Sequence, residues 1–244
     1  GQMDDPTGYG RILRDESGAV CGIVEEKDCT AAQRQIREIN ISLYCFKTAA
    51  LLQALEELQP ANAQGEYYLT DCVDILYHKG KKVGGVPIDD MEECRGVNNR
   101  VDLAACSAVL RSRINEQALL NGATLIDPKT TYIDADVRIG EDTTIHPNVH
   151  LVGRTVIGKG CVIYSGSRLE DSILADGARV DQSVLEHAKV GENSAIGPFA
   201  YLRRGTVVGK ECRVGDFVEM KNAIVGDGTK VSHLTYVGDA QLGR

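Results

Sequence analysis

The sequence predicts a parallel β-solenoid of hexapeptide repeats that follows an α/β unit and a long helix. Three observations support this. From Ile133 onward an apolar residue recurs about every six positions, and a small or β-branched residue follows most of these anchors four positions later. The first 98 residues instead alternate strand and helix patterns. A fixed period this short is typical of a β-helix in which each repeat is one strand and one turn.

Nineteen apolar anchors define the repeat, and all but four steps between them are six residues long. Three hexamers form a triangular coil of about 18 residues, so the anchors predict roughly six coils. A β-sandwich is disfavoured because its strands recur every 8–12 residues or so. The anchors are Ile133, Ile139, Ile145, Leu151, Ile157, Ile163, Leu169, Leu174, Val180, Leu185, Val190, Ile196, Leu202, Val208, Val214, Met220, Val225, Val231 and Val237.

The part before the solenoid has strands and helices in alternation, which indicates an α/β unit. Strands are predicted at 9–14, 19–25, 39–45 and 83–88, and helices at 48–58 and 71–80, the second capped by Thr70 and Asp71. A further helix is predicted from Arg100 to Leu120, with Asn99 as its cap and Gly122 at its end. The predicted domains are therefore 1–99, a linker helix at 100–121, and a solenoid at 122–244.

Composition favours a cytoplasmic protein that binds neither nucleic acid nor membranes. The net charge is −8, which disfavours contact with polyanions. No apolar run approaches the length of about 18 residues that a membrane span needs. The eight cysteines have no C-x-x-C spacing, which indicates reduced thiols.

Eight segments, in order along the chain, resemble one enzyme family. They are 5–12, 23–28, 37–40, 64–71 and 96–100 in the first part, and 197–200, 217–221 and 232–240 in the solenoid. The family is the bacterial bifunctional N-acetylglucosamine-1-phosphate uridyltransferase / glucosamine-1-phosphate acetyltransferase. The resemblance implies the second half of a nucleotidyltransferase domain, joined by the long helix to a left-handed β-helix. The family's glycine-rich triphosphate loop has no counterpart here, so an internal fragment, inactive alone in both reactions, is expected.

The resemblance assigns four residues to a uridyltransferase site that uses UTP, N-acetylglucosamine 1-phosphate and Mg²⁺. Gly10 would let the backbone approach the bound nucleotide sugar. Glu25 and Asn40 would bind the sugar, and Asn98 would bind UDP-N-acetylglucosamine and be a Mg²⁺ ligand. The other interpretations are a plain turn for Gly10, a solvated surface for Glu25 and a helix cap for Asn98.

A second site is expected on the solenoid, where acetyl-CoA would acetylate glucosamine 1-phosphate. An ammonium cannot attack a thioester, so a base is needed, and histidine suits neutral pH. Of the five histidines, His233 lies in a matched segment and is the predicted base. Arg203 and Lys221 would bind the sugar phosphate, and Tyr236 would add a hydroxyl contact. The alternative for all four is an ordinary exposed side chain.

The chain departs from the family pattern at three places: Ile41–Ser42 replaces Thr-Gly, Arg204 replaces Pro, and Asp216 replaces Asn. Arg204 would either strengthen phosphate binding or lie in solvent, and Asp216 adds negative charge near an anionic substrate. The resemblance also implies a homotrimer formed through the solenoid. Two other classes are weighed: a single-function sugar-phosphate nucleotidyltransferase with an assembly-only solenoid, and a non-catalytic regulatory subunit.

Overall fold

The computed structural model describes residues 1–97 and 99–243. The chain divides into two compact units, Gly1–Asp102 and Leu103–Arg244. Among the described residues, none of the helices combines the length and the apolar character needed to cross a membrane.

The first unit is built on an antiparallel pair of strands with helices beside it. The predicted strands at 9–14 and 19–25 are confirmed, as β1 (Arg11–Arg14) and β2 (Val20–Val24). The helices are α1 (Thr48–Leu55) and α2 (Asp71–His78), with 3-10 turns at Glu26–Asp28, Gln33–Gln35 and Met91–Cys94. The turn between the strands is closed by the Asp15 carboxylate, which accepts hydrogen bonds from the backbone N–H groups of Ser17 and Ala19, both 2.9 Å long.

Two predicted strands of the first unit are wrong. In the described chain, residues 39–45 and 83–88 form no ladder, and Ile39 makes only an isolated bridge to Arg11. Ile39 is buried, but Leu43 is 77% exposed. The alternating pattern is present, yet no neighbouring strand of the described residues pairs with it, and a strand needs a partner for its backbone groups. Thr70 is the N-cap residue of α2, as predicted, but its side chain makes no cap hydrogen bond.

The long helix α3 (Arg100–Leu120) has the predicted bounds. Asn99 Oδ1 accepts hydrogen bonds from the N–H groups of Val101 (2.8 Å) and Asp102 (3.0 Å), which is the expected N-cap. Gly122 follows the helix with φ +92°, a left-handed conformation that suits glycine at a helix end. Near its end, the helix is tied to a solenoid loop by the buried Asn115, whose Nδ2 donates to the carbonyl of Pro128 (2.7 Å).

The second unit is a parallel β-solenoid, and its described residues form three faces of seven strands each. Face 1 contains β3 (Thr124–Leu125), β6 (Thr144–Ile145), β9 (Val162–Ile163), β12 (Arg179–Val180), β15 (Ala195–Ile196), β18 (Arg213–Asp216) and β21 (Lys230–His233). Face 2 contains β4 (Tyr132–Ile133), β7 (His150–Val152), β10 (Arg168–Glu170), β13 (Val184–Glu186), β16 (Tyr201–Leu202), β19 (Glu219–Lys221) and β22 (Tyr236–Gly238). Face 3 contains β5 (Arg138–Ile139), β8 (Val156–Ile157), β11 (Ile173–Leu174), β14 (Lys189–Val190), β17 (Val207–Val208), β20 (Ile224–Val225) and β23 (Gln241–Leu242).

One strand from each face makes a rung, which is one coil of the solenoid. The described residues form seven rungs, where the sequence predicted roughly six coils. Leu125 opens the first rung but lies eight positions before Ile133, and the loop between them hides it from a six-residue count. Leu242 closes the seventh rung, five positions after the last predicted anchor. The irregular first step therefore accounts for much of the difference.

The core confirms the repeat's two kinds of inward residue. All of the anchors are buried except Ile139, which is half-buried, and Leu151, Leu169 and Leu185 are fully buried. At the small-residue positions, side-chain hydroxyl groups donate hydrogen bonds to backbone carbonyl groups. Thr143 Oγ1 donates to the carbonyl of Gly158 and Ser194 Oγ to that of Gly209, both at 2.7 Å. Outward residues of successive rungs therefore form straight columns, with neighbours about 4.8 Å apart.

Candidate functional site

Three of the four residues predicted for the uridyltransferase site converge in the first unit. A Cβ atom placed on Gly10 would lie 3.2 Å from Glu25 Oε2 and 3.5 Å from Asn40 Cβ. The Asn40 N–H donates a 2.8 Å hydrogen bond to the Gly10 carbonyl. A side chain at position 10 would therefore crowd the Glu25 carboxylate, which would have to shift to make room. Asn98, the fourth residue and the predicted Mg²⁺ ligand, lies outside the described residues.

Two side chains that sequence reasoning missed hold this cluster. Thr70 Oγ1 donates to Glu25 Oε1 (3.2 Å), which explains why the Thr70 side chain makes no cap hydrogen bond. Asn40 is buried, and its Nδ2 donates to the Tyr44 hydroxyl (2.6 Å). Burial raises the pKa of Tyr44, and the negative charge of Glu25 acts in the same direction. Thr70 lies in the matched segment 64–71, so the resemblance could have pointed to it. Nothing in the sequence could have pointed to Tyr44.

The departure at Ile41–Ser42 has a structural consequence. Ser42 has φ +61°, in the left-handed region that glycine adopts without strain. Its N–H donates to Asn40 Oδ1 (3.2 Å). The serine therefore accepts an unfavourable backbone conformation while keeping a hydrogen bond that orients Asn40.

The four residues predicted for the acetyltransferase site lie on faces 1 and 2 of the solenoid, on rungs 5 to 7. Leu202 pairs with Met220, so Arg203 and Lys221, the next residue in each case, share one column of face 2 on adjacent rungs. Tyr236 begins the strand of face 2 on rung 7, and His233 ends the strand of face 1 on that same rung. The structure thus brings together residues that are 33 positions apart in sequence.

Two glutamate side chains accept hydrogen bonds from neighbouring side chains on this surface. Arg203 Nη1 donates to Glu219 Oε1 (2.8 Å), and this bond raises the pKa of Arg203. Tyr201 donates its hydroxyl proton to Glu186 Oε2 (2.8 Å), which raises the pKa of Tyr201. Lys221 and Tyr236 are exposed. Glu219 was missed, although it lies within the matched segment 217–221.

Arg204 points to a different column from Arg203. Its Nη2 lies 2.9 Å from His187 Nε2, and His187 Nδ1 lies 3.8 Å from Asp171 Oδ2. In the described parts of the chain, Glu170, Asp171 and His187 are the group of three side chains close enough to share a metal ion, and no such group surrounds Glu25 or Asn40. The positive charge of Arg204 beside the His187 ring disfavours the binding of a metal cation there.

Exposed apolar side chains line the corner between faces 1 and 2. Phe199, Phe217 and Leu234 occupy equivalent turns of rungs 5, 6 and 7, each with positive φ, and we name them the apolar corner. The two phenyl rings stack with centroids 5.3 Å apart. Their exposed fractions are 49%, 57% and 77%.

The fold and these surfaces define a hexapeptide-repeat β-solenoid protein with an α/β unit before it. The chain belongs to the family of the GMPPB C-terminal domain, whose model matches residues 113–241, more than half of the chain. It is 51% identical over 241 residues to the bifunctional protein GlmU of Clostridium novyi, and 52% identical over 241 residues to that of Clostridium beijerinckii. Each match covers 99% of this chain but only 53% and 52% of the relative, so the chain spans about half their length.

The resemblance stated from the sequence motifs is confirmed by these matches. Among solved structures, the acetyltransferase domain of PglB from Neisseria gonorrhoeae in complex with acetyl coenzyme A is similar at 18% identity. That match covers 55% of this chain and 61% of the other, with a TM-score of 0.38, too low to support a functional conclusion.

Proposed function

We propose that this chain is part of a longer bifunctional transferase that makes UDP-N-acetylglucosamine. Its solenoid acetylates glucosamine 1-phosphate with acetyl-CoA, and its first unit helps transfer uridylyl from UTP to N-acetylglucosamine 1-phosphate, releasing pyrophosphate. The observation that carries the proposal is that His233, Arg203, Lys221 and Tyr236 all lie on adjacent faces 1 and 2 within three successive rungs. The similarity to two proteins named bifunctional GlmU supports it.

In the acetyl transfer, His233 is the general base. The neutral amine of the sugar attacks the thioester carbon while His233 takes its proton. The new N–C bond forms, the C–S bond breaks, and the thiolate of coenzyme A leaves with the proton that His233 held. Arg203 and Lys221 hold the sugar phosphate by charge-assisted hydrogen bonds, and the Tyr236 hydroxyl orients the sugar.

In the uridylyl transfer, the described residues supply sugar binding. The Glu25 carboxylate accepts hydrogen bonds from sugar hydroxyl groups and the Asn40 side chain holds the sugar. Gly10 leaves room for the sugar, because any side chain there would approach the Glu25 carboxylate. Mg²⁺ would neutralise phosphate charge, with Asn98 as one ligand.

The proposal includes assembly and location. The full-length protein forms a homotrimer through the solenoid, and the exposed apolar corner supports this, because large apolar surfaces mark association sites. Its co-substrates UTP and acetyl-CoA are metabolites of the cytoplasm, where we place the protein.

A pair of variants of the full-length protein tests the assignment of two sites. Lys221→Ala should raise the KM for glucosamine 1-phosphate and leave uridylyl transfer unchanged. Asn40→Ala should impair uridylyl transfer and leave acetyl transfer unchanged. If Lys221→Ala and the unmodified protein both lack acetyl transfer while uridylyl transfer is robust, the single-function nucleotidyltransferase with an assembly-only solenoid is correct instead.

A further inference from the structure

His233 has an acidic neighbour in its own column of the solenoid. Asp216 on β18 pairs directly with His233 on β21, and the Leu234 N–H donates to the Asp216 carbonyl (3.0 Å). Both side chains are exposed. Residues paired in register on adjacent parallel strands lie about 4.8 Å apart, which lets a carboxylate reach an imidazole.

A glycine fixes the spacing between these two residues. A Cβ atom on Gly215 would lie 1.6 Å from the carbonyl oxygen of Ser232, the residue before His233. Any side chain at 215 would therefore push β21 away from β18. The close approach of the two strands keeps Asp216 and His233 in register.

The other charged or titratable groups around His233 are less favourably placed. Arg213 and Lys230 pair with each other at the far end of the same two strands, three residues from Asp216 and His233 respectively. Across the corner, Glu219 is bonded to Arg203. The charged and titratable residues on these elements are Arg213 and Asp216 on β18, Lys230 on β21, Glu219 and Lys221 on β19, and Tyr236 on β22.

We propose that Asp216 is a positioning residue for His233, holding the imidazole in place and stabilising the imidazolium formed during acetyl transfer. This inference rests on the proposed function. When His233 takes the amine proton it becomes a cation, and the Asp216 carboxylate stabilises that charge. The proton then passes to the departing coenzyme A thiolate, so Asp216 itself neither gains nor loses a proton.

The test is steady-state kinetics of the full-length protein with Asp216→Asn, over pH 5.5 to 9 or so. We expect kcat for acetyl transfer to fall about tenfold, a share of the 10²–10⁴-fold that a general base contributes, with KM for glucosamine 1-phosphate within about twofold. The pH–rate profile of Asp216→Asn should also differ from that of the unmodified protein, because a charge beside the base has been removed. Asp216→Glu should restore part of kcat.

Controls separate this inference from the proposed function. Glu211→Gln removes an exposed acid from the same rung at another corner and should change neither kcat nor the pH profile. If Asp216→Asn instead lowers KM with unchanged kcat, the carboxylate only repels the substrate phosphate and the inference is wrong. If His233→Ala abolishes the reaction while Asp216→Asn leaves the profile unmoved, the proposed function stands and this inference fails. If His233→Ala is fully active, both fail.

Discussion

Arg203 and Glu219 are joined across two rungs of the solenoid by a hydrogen bond of 2.8 Å from Nη1 to Oε1. The bond holds the guanidinium along face 2, in the column that Lys221 continues. Nη1 is engaged by Glu219, and the other N–H groups of the guanidinium remain for a phosphate. A sugar phosphate would therefore meet an arginine that is already oriented.

The first prediction concerns this arginine. Arg203→Ala should raise the KM for glucosamine 1-phosphate about 10- to 100-fold, because a hydrogen bond to a charged group contributes about 1.5–3 kcal/mol. Arg203→Lys should recover only part, since lysine lacks the bidentate fork. Kinetics of acetyl transfer by the full-length protein measure both. Arg179→Ala, an exposed arginine of face 1, is the control, and an equal effect there would refute a specific role.

The second prediction concerns space at the uridyltransferase cluster. Gly10→Ala should reduce uridylyl transfer and leave acetyl transfer intact, because the methyl group would come within 3.2 Å of the Glu25 carboxylate and displace it. Gly84→Ala is the matched control, since a Cβ atom there meets no atom within 4 Å. Equal activity of both variants would show that Gly10 serves only a turn.

The third prediction concerns the solenoid core. Leu169→Ala should lower the free energy of unfolding by about 2–5 kcal/mol, because it removes a fully buried side chain and leaves a cavity. Ile173→Ala, at a 45% exposed outward position, should cost much less. Urea unfolding followed by circular dichroism at strand wavelengths compares them. Similar losses in the two variants would contradict the inward and outward assignment.

The fourth prediction concerns the turn between β1 and β2. Hydrogen bonds from Ser17 and then Tyr77 lower the pKa of Asp15 from 3.8 to about 2. A lowered folded-state pKa stabilises the fold above about pH 4, and this contribution is lost as pH falls towards 2. In Tyr77→Phe the pKa of Asp15 should rise towards 3.8. Carboxyl NMR titration measures it, and an unchanged value would exclude the Tyr77 bond as a cause.

The fifth prediction concerns the apolar corner. Phe217→Ser should weaken trimer formation by the full-length protein, because it removes one of two stacked phenyl rings at an exposed surface. Sedimentation velocity measures the trimer fraction. Ile224→Ser, which removes an exposed apolar residue from face 3, should leave it unchanged. A stable trimer with serine at 217 would show that the contact lies on another surface.

The solenoid could be predicted because its signal is local and repeated. Every inward anchor from Ile133 to Val237 was found from spacing alone, since one buried residue per hexamer suffices to define the coil. The first rung was missed because a loop separates Leu125 from Ile133. The columns followed from the period, which is why Arg203 and Lys221 could be expected to lie one coil apart.

The first unit was less predictable because its contacts are not local. Alternation at residues 39–45 indicated a strand, but pairing depends on a partner strand that no local pattern reveals. Thr70 is the predicted N-cap residue of α2, but its hydroxyl bonds Glu25, 45 positions away. The convergence of Gly10, Glu25 and Asn40 was implied by family motifs and is visible only in the fold.

The most direct test of the account is release of free thiol from acetyl-CoA by the full-length protein with glucosamine 1-phosphate, compared with His233→Ala. We expect robust release that falls by about 10²–10⁴-fold in the variant, while His78→Ala, which changes an exposed histidine of the first unit, retains full activity. Undiminished release in His233→Ala would contradict the assignment of the base. Absence of release from a folded, trimeric parent protein would contradict the acetyltransferase itself.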